Sequence, residues 1–163
     1  MGHRIRGIVI PESKLSDVAV TFSGIQSISL PQQFVLLPVT ESYLDSEVLA
    51  HTIISPFMCL THALWDSAVR WSSDCGVAYI ETDYFGGIGT QQAIAWRDAS
   101  IVFGPNTAET MVDRRSKLTR HYGGRPINDA LAAIGVTTDK DMDEFDTLGL
   151  ERFRSFDEIY DEN

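Results

Sequence analysis

The sequence has little of what usually marks a catalytic or metal-binding protein. It contains two cysteines, Cys59 and Cys75, and their spacing matches no zinc-binding pattern. The four histidines are scattered, without the HxxxH or HxH spacing of a metal-ligand pair. No serine lies in a GxSxG motif, and neither cysteine has a histidine partner that the sequence can identify. We therefore predict no metal, no cofactor and no nucleophilic catalysis.

Long apolar runs are also missing. The N-terminal residues MGHRIRGIVIP hold too short an apolar run for a signal peptide, and no later stretch is long enough to span a bilayer. Two cysteines allow one disulfide at most, which is weak support for secretion. We expect a cytoplasmic protein without a membrane partner.

Basic residues are scarce. Thirteen Lys and Arg are set against 23 Asp and Glu, which gives a formal net charge of −10. Nucleic-acid binding needs clustered basic side chains, so we expect no nucleic-acid partner. The positive cluster between Arg114 and Arg120 is more typical of a solvated face than of an anion site. The acidic surface favours a basic protein partner, or it serves solubility alone.

What the sequence does contain is a strong hairpin pattern between Val77 and Phe103, VAYIETDYFGGIGTQQAIAWRDASIVF. Two alternating apolar runs flank a turn that contains Gly86, Gly87 and Gly89, which predicts an antiparallel pair of strands. The motif GGIGTQ matches neither phosphate-loop consensus, and a strand pattern rather than a helix comes after it. We therefore assign the glycines to the turn. Residues 101–103 are expected to return as a third strand.

The apolar pattern suggests a register for this hairpin. If Asp83 lies opposite Gln91, then Ile80 faces Ile94, and the small Ala78 faces the large Trp96 on the same side. Pairing large residues with small ones and burying one face is what fixes the register of an antiparallel pair.

The remaining pattern predicts helices and further strands. Residues 5–10 and 34–39 read as strands, the second one limited by Pro38, while residues 14–22 fit either a strand or a helix. Ser55-Pro56 is a favoured helix start and predicts a helix from Pro56 to about Ser72, packed across the Ile80/Ile94 face. Residues 106–122 read as a helix or a mobile loop. Arg125-Pro126 opens a further helix that Gly135 ends, and we expect the tail from Phe145 to Tyr160 to dock.

Together these elements predict one α+β domain over residues 1–163. Its core is an antiparallel sheet built around the 77–103 hairpin, with helices packed on one face.

The hairpin also holds the residues with the most chemical potential. Glu81 and Asp83 project from one strand face about 7 Å apart, and paired carboxylates can hold a cation or do acid–base work. On an acidic protein such carboxylates are more often solvated or paired with an arginine, and we expect Arg97 along the same face. Aromatic residues flanked by charge suit protein recognition. The predicted binding surface therefore consists of Tyr79, Glu81, Asp83, Tyr84 and Arg97.

The runs FVLLPVTESYLD, AYIETDYFGGIGTQQAIAW, PINDALAAIGV and DEFDTLGL resemble a family of small, acidic bacterial proteins without an assigned function. The resemblance covers most of the chain and supplies no catalytic motif. In size and charge the chain also resembles immunity proteins, which neutralise a toxin domain. This implies a non-enzymatic inhibitor with a basic toxin domain as its partner. The alternative hypothesis is a small enzyme or ligand-binding domain, with a site formed by Glu81, Asp83 and Arg97.

Overall fold

The computed structural model describes residues 2–22, 26–46 and 52–155, and within these ranges seven strands form one antiparallel sheet. The strands are β1 (His3–Pro11), β2 (Ile28–Leu30), β3 (Phe34–Pro38), β4 (Val77–Phe85), β5 (Ile88–Arg97), β6 (Ser100–Val112) and β7 (Thr119–Tyr122). Across the sheet they lie in the order β2-β3-β1-β4-β5-β6-β7, so the β4–β5 hairpin lies near its centre.

Five α-helices accompany the sheet in the described part of the chain: α1 (Leu15–Thr21), α2 (Glu41–Ser46), α3 (His62–Trp71), α4 (Pro126–Ala133) and α5 (Glu144–Thr147). Short 3-10 helices occupy Glu12–Lys14, Pro31–Gln33 and Leu150–Arg152. Of the helices in the described ranges, none has the length and apolar character needed to cross a membrane. The architecture confirms the predicted α+β domain.

Helices cover both faces of the sheet, so the prediction of one covered face is wrong. One core joins α3 to the sheet and includes Leu64, Ala68, Trp71, Tyr79, Ile94 and Trp96. The other core joins α4 and the segment around α5 to the opposite face and includes Ile5, Ile80, Ala93, Ile127, Leu131 and Leu148. The central strands bury successive residues on alternate faces, and β3 is buried at every position. Strands of this kind require a cover on each side.

The β4–β5 hairpin differs by one residue from the predicted register. Tyr79 pairs with Ile94, and Ile80 pairs with Ala93. Gly86 and Gly87 form a two-residue turn with φ values of 61° and 82°, the left-handed geometry that joins twisted strands most closely. Because side chains alternate, the one-residue difference moves Ile94 to the face opposite Ile80.

The helix before this hairpin begins at His62 and not at Pro56. Thr61 is its N-cap, and the Thr61 hydroxyl accepts a hydrogen bond from the Leu64 backbone N–H at 3.2 Å. Pro56 lies in a turn ahead of the helix. A capping hydroxyl therefore sets the helix start here in place of the Ser-Pro pair. Leu64 packs on the α3 face with Trp96, and so does not face Ile80 as predicted.

Residues 106–122 form neither a helix nor a mobile loop. They belong to β6 and β7, which pair antiparallel. Asp113 fixes the turn between the two strands: its side chain accepts hydrogen bonds from the Arg115 backbone N–H at 2.9 Å and from the Ser116 hydroxyl at 2.8 Å. The positive cluster between Arg114 and Arg120 therefore lies on the hairpin formed by β6 and β7.

Other local predictions are confirmed. Residues 5–10 lie in β1, β3 ends at Pro38, and α4 has Pro126 in its first turn. Gly135 comes after α4 with a φ of 102°. The ambiguous segment 14–22 contains α1. The tail docks as far as Phe153; the predicted tail residues Phe156 and Tyr160 lie outside the described residues.

Candidate binding surface at the end of the sheet

The structure does not bring the five predicted surface residues together. Tyr79 is 0% exposed and Glu81 is 3% exposed, so their assignment to an exposed surface is wrong. Asp83 and Tyr84 are partly exposed, but as neighbours on one strand they point to opposite faces.

Arg97 lies at the far end of β5, beyond the pairing of Trp96 with Val77. Its guanidinium donates to the Ala133 backbone oxygen at 3.4 Å, on the face covered by α4. Glu81 on β4 pairs with Gln92 on β5, and Gln92 lies five residues before Arg97. At the strand repeat, about 16 Å therefore separates Arg97 from the position opposite Glu81. The alternative site formed by Glu81, Asp83 and Arg97 is therefore not assembled.

Glu81 is buried because a segment ahead of α3 folds over it. Its carboxylate accepts hydrogen bonds from the backbone N–H groups of Met58 at 2.8 Å and Cys59 at 2.7 Å. A third hydrogen bond comes from the Tyr79 hydroxyl at 2.7 Å. Burial raises the pKa of Tyr79 well above its usual value, and the charge of Glu81 adds to this effect. Glu81 thus anchors the segment before α3 to the sheet.

Arg6 lies next to this anchor on β1. Its guanidinium donates to Glu41 Oε1 at 2.7 Å and to Cys59 Sγ at 2.9 Å. Burial opposes the charge on Arg6, but these hydrogen bonds outweigh burial, and the net effect raises its pKa. The hydrogen bond from Arg6 also lowers the pKa of Glu41. Burial raises the pKa of Cys59 despite the nearby arginine, so this thiol lacks the thiolate character of a nucleophile.

A cavity of about 250 Å³ opens above these groups, on the α3 face of the sheet. Its charged lining consists of two arginines and three carboxylates, a formal sum of −1: Arg4, Arg6, Glu41, Glu81 and Asp83. Arg4 pairs with Asp83 at 3.5 Å at the exposed rim, and the largely buried Arg6 pairs with the exposed Glu41 at 2.7 Å. The cavity is therefore charged, with its arginines already engaged by carboxylates.

Three large apolar side chains extend this surface beyond the cavity. Phe85 is 80% exposed, Ile88 is 45% exposed and Met111 is 40% exposed. Phe85 pairs with Ile88 across the turn. Gly89 pairs with Thr110, so the next step along both strands places Met111 beside Ile88. We name this group of three residues the apolar tip.

The apolar tip and the cavity lie on the same face of the sheet. Phe85 lies two positions after the cavity residue Asp83 on β4, and Ile88 lies two positions before the cavity residue Thr90 on β5. Side chains two residues apart on a strand share a face. Phe85 and Ile88 flank the glycine turn in the sequence, but no local pattern indicates that they share this face with Met111.

Among the described residues, no group of three or more His, Cys, Asp or Glu side chains is placed to hold a metal ion. Comparisons of the chain with protein-family models, with curated proteins and with solved structures each found no match. The resemblance to immunity proteins therefore stays a prediction, and function is inferred from the geometry of this surface.

Proposed function

We propose that this chain is a cytoplasmic, non-enzymatic binding protein that inhibits a basic protein domain, in the manner of an immunity protein. The partner docks on the apolar tip, and one of its basic side chains enters the neighbouring cavity. The observation that carries this proposal is the apolar tip itself.

Exposed apolar residues are common singly, but a contiguous group on adjacent strands marks an interaction site more often. The apolar tip groups an aromatic, a β-branched and a thioether side chain on β4, β5 and β6. Aromatic residues and methionine are enriched where proteins meet. The tip is also part of a paired sheet, so little conformational entropy is lost when a partner docks on it.

Charge favours a basic partner. The protein carries a net charge of −10, which accelerates encounter with a positively charged surface. At the site, the cavity lining sums to −1, and Glu109 lies opposite Thr90 on the same face. A lysine or arginine of the partner entering the cavity would meet the carboxylates of Asp83 and Glu41.

The test measures the affinity of the partner for the parent chain and for a variant, and not only whether a partner is captured. A partner retained from native lysate is identified, purified and titrated against the parent chain and the variant Phe85→Ser. If Phe85 is a central contact, the variant binds at least about 30-fold more weakly, the loss expected for an aromatic hot spot. The parent should also inhibit the activity of the partner.

Val20→Ser is the matched control, since Val20 is 87% exposed on α1, outside the apolar tip. This variant should bind as the parent does. Equal affinity of the parent and the Phe85→Ser protein would exclude the apolar tip as the docking site. Equal weakening by both substitutions would show that the loss is not specific to the tip.

A further inference from the structure

A second cavity opens on the opposite face of the sheet, at the same end. Its volume is about 410 Å³, within the range of small-molecule sites. Residues from β1, β4, β5, β7, α4 and the α5 region converge on it, among them His3, Tyr84, Gln91, His121, Arg125 and Phe145. The apolar tip uses none of these side chains, and of the residues that line the two cavities only Thr82 is shared.

One wall of this cavity is aromatic. The ring of His3 lies 5.4 Å from that of Tyr84 and 5.9 Å from that of Phe145, measured between centroids, and both pairs are tilted. Three rings in one wall offer a planar ligand face-on or edge-on contacts, the arrangements that aromatic groups prefer. The wall therefore favours a ligand with a flat, apolar body.

His3 lies in the wall of the cavity and contacts Thr82. The Thr82 hydroxyl oxygen accepts a hydrogen bond from the Ile5 backbone N–H at 3.0 Å and lies 2.9 Å from His3 Nδ1. The Thr82 side chain therefore holds the ring of His3 at Nδ1. Burial lowers the pKa of His3, in keeping with a neutral ring.

Tyr84 is held in place by a relay of hydrogen bonds. Its oxygen accepts from Gln91 Nε2 at 3.2 Å, and Gln91 Oε1 accepts from the Ile127 backbone N–H at 3.4 Å. Among the described residues, nothing accepts the hydroxyl proton of Tyr84. This proton is a donor available to a ligand.

Arg125 adds a cation at the mouth of the cavity. It pairs with Asp143, and its side chain is 55% exposed. A guanidinium has five N–H donors, so one carboxylate partner leaves donors for another acceptor. His121 supplies no free donor, because Nδ1 is bonded to the Thr110 hydroxyl at 2.8 Å and Nε2 donates to the Gly124 backbone oxygen at 2.5 Å. It fixes the backbone just before Arg125.

We propose that this cavity binds a small aromatic carboxylate. The ring packs against the wall formed by His3, Tyr84 and Phe145. The carboxylate accepts hydrogen bonds from the Tyr84 hydroxyl and from Arg125. An aromatic body matches the wall, and an anionic acceptor matches the Tyr84 hydroxyl and the Arg125 N–H groups that Asp143 leaves free, although Arg125 and Asp143 together carry no net charge.

The test is a titration of the full ¹⁵N-labelled chain with three probes, monitored by amide chemical shifts. Benzoate carries both features, benzamide keeps the ring without the charge, and acetate keeps the charge without the ring. We expect benzoate to shift amides of β1, β4 and α4 around the cavity. It should bind about tenfold more tightly than either of the other probes, because one charged hydrogen bond has roughly that effect.

Two variants test the named contacts. Tyr84→Phe keeps the ring and removes the hydroxyl, and Arg125→Gln removes the charge; each should weaken benzoate binding about tenfold. The control is Tyr122→Phe. Tyr122 is exposed and pairs with Glu109 on the face opposite this cavity, so the variant should bind benzoate as the parent does. The amide spectrum of each variant shows at once whether it is folded.

Three results would overturn the proposal. Benzoate could leave the amides around the cavity unshifted at every concentration used. Benzamide could bind the parent chain as tightly as benzoate does, a result that needs no variant. Folded Tyr84→Phe and Arg125→Gln proteins could bind benzoate with the affinity of the parent.

Discussion

At the scale of single residues, burial decides what a carboxylate does. Glu81 and Asp83 are two positions apart on β4 and look equivalent in the sequence. Glu81 is 3% exposed and accepts three hydrogen bonds, whereas Asp83 pairs with Arg4 at the solvent-exposed rim. The first therefore stabilises the fold, and the second remains available to a partner.

This difference predicts unequal effects of two conservative substitutions. Glu81→Gln leaves one side-chain oxygen for two backbone N–H groups and the Tyr79 hydroxyl, so it should lower the free energy of unfolding by about 2–3 kcal/mol. Asp83→Asn should lower it by less than about 1 kcal/mol, because exposed ion pairs contribute little. Urea unfolding of both variants measures the two values. Equal losses would contradict the structural assignment of Glu81.

The raised pKa of Tyr79 predicts a loss of stability in alkali. An unfolded tyrosine loses its proton near pH 10, while in the folded protein burial keeps Tyr79 protonated to higher pH. Stability from this group is complete below about pH 10 and declines as the pH rises toward the folded pKa, because the unfolded chain is deprotonated first.

Tyr79→Phe separates this effect from the hydrogen bond to Glu81. At pH 8 the variant should be less stable than the parent by about 2 kcal/mol, the contribution of a hydrogen bond to a charged group. The difference should shrink above about pH 10, since phenylalanine does not titrate. Denaturant unfolding from pH 8 to 11 measures this difference. If the two proteins differ by the same unfolding free energy at every pH, the titration of Tyr79 does not cause the loss of stability in alkali.

At the scale of elements, the glycine turn shows what backbone geometry requires. A Cβ on Gly89 would lie 2.0 Å from the Asp83 backbone oxygen, whereas a Cβ on Gly86 or Gly87 would meet no atom within 4 Å. Gly89→Ala should therefore cost at least about 2 kcal/mol of unfolding free energy. Gly86→Ala and Gly87→Ala should cost about 1 kcal/mol each, through their positive φ alone. Thermal unfolding of the three variants gives the order, and the reverse order would contradict this hairpin geometry.

The elements also show where a single sequence informs the fold and where it does not. Alternation predicted β4 and β5, because period-2 patterning is a property of the strand itself. The register was wrong by one residue, because the prediction favoured pairing large residues with small ones. The structure instead pairs Tyr79 with Ile94 and Val77 with Trp96, in the register that the two-residue turn sets. Residues 106–122 lack buried apolar positions apart from Ala108, so a helix or loop fitted their pattern as well as a hairpin.

The candidate site was harder to predict than the fold. Exposure of Glu81 depends on residues 58–59, more than 20 positions earlier in the chain, and no local pattern reports that contact. Arg97 lies two positions after Ala95 on β5, so both side chains point to the face covered by α4. The wrong register placed Arg97 on the face of Glu81 instead. The apolar tip needed the pairing of three strands before its members could be seen as neighbours.

At the scale of the whole molecule, the two sides of one sheet end differ in character. The α3 side combines the apolar tip with a charged cavity, and the α4 side holds the aromatic cavity at Tyr84. We propose that the basic partner docks on the α3 side. Both cavities lie at the same end of the sheet. A measurement must therefore report on individual amides to show which face a partner covers.

Amide hydrogen exchange of the chain, with and without its purified partner, tests this claim most directly. Docking on the apolar tip should slow exchange in the complex for residues 83–90 and 107–112, which carry and flank the tip. It should leave exchange unchanged for α4 and α5 on the opposite side. Slower exchange confined to residues 126–147, with residues 83–90 unaffected, would contradict this claim.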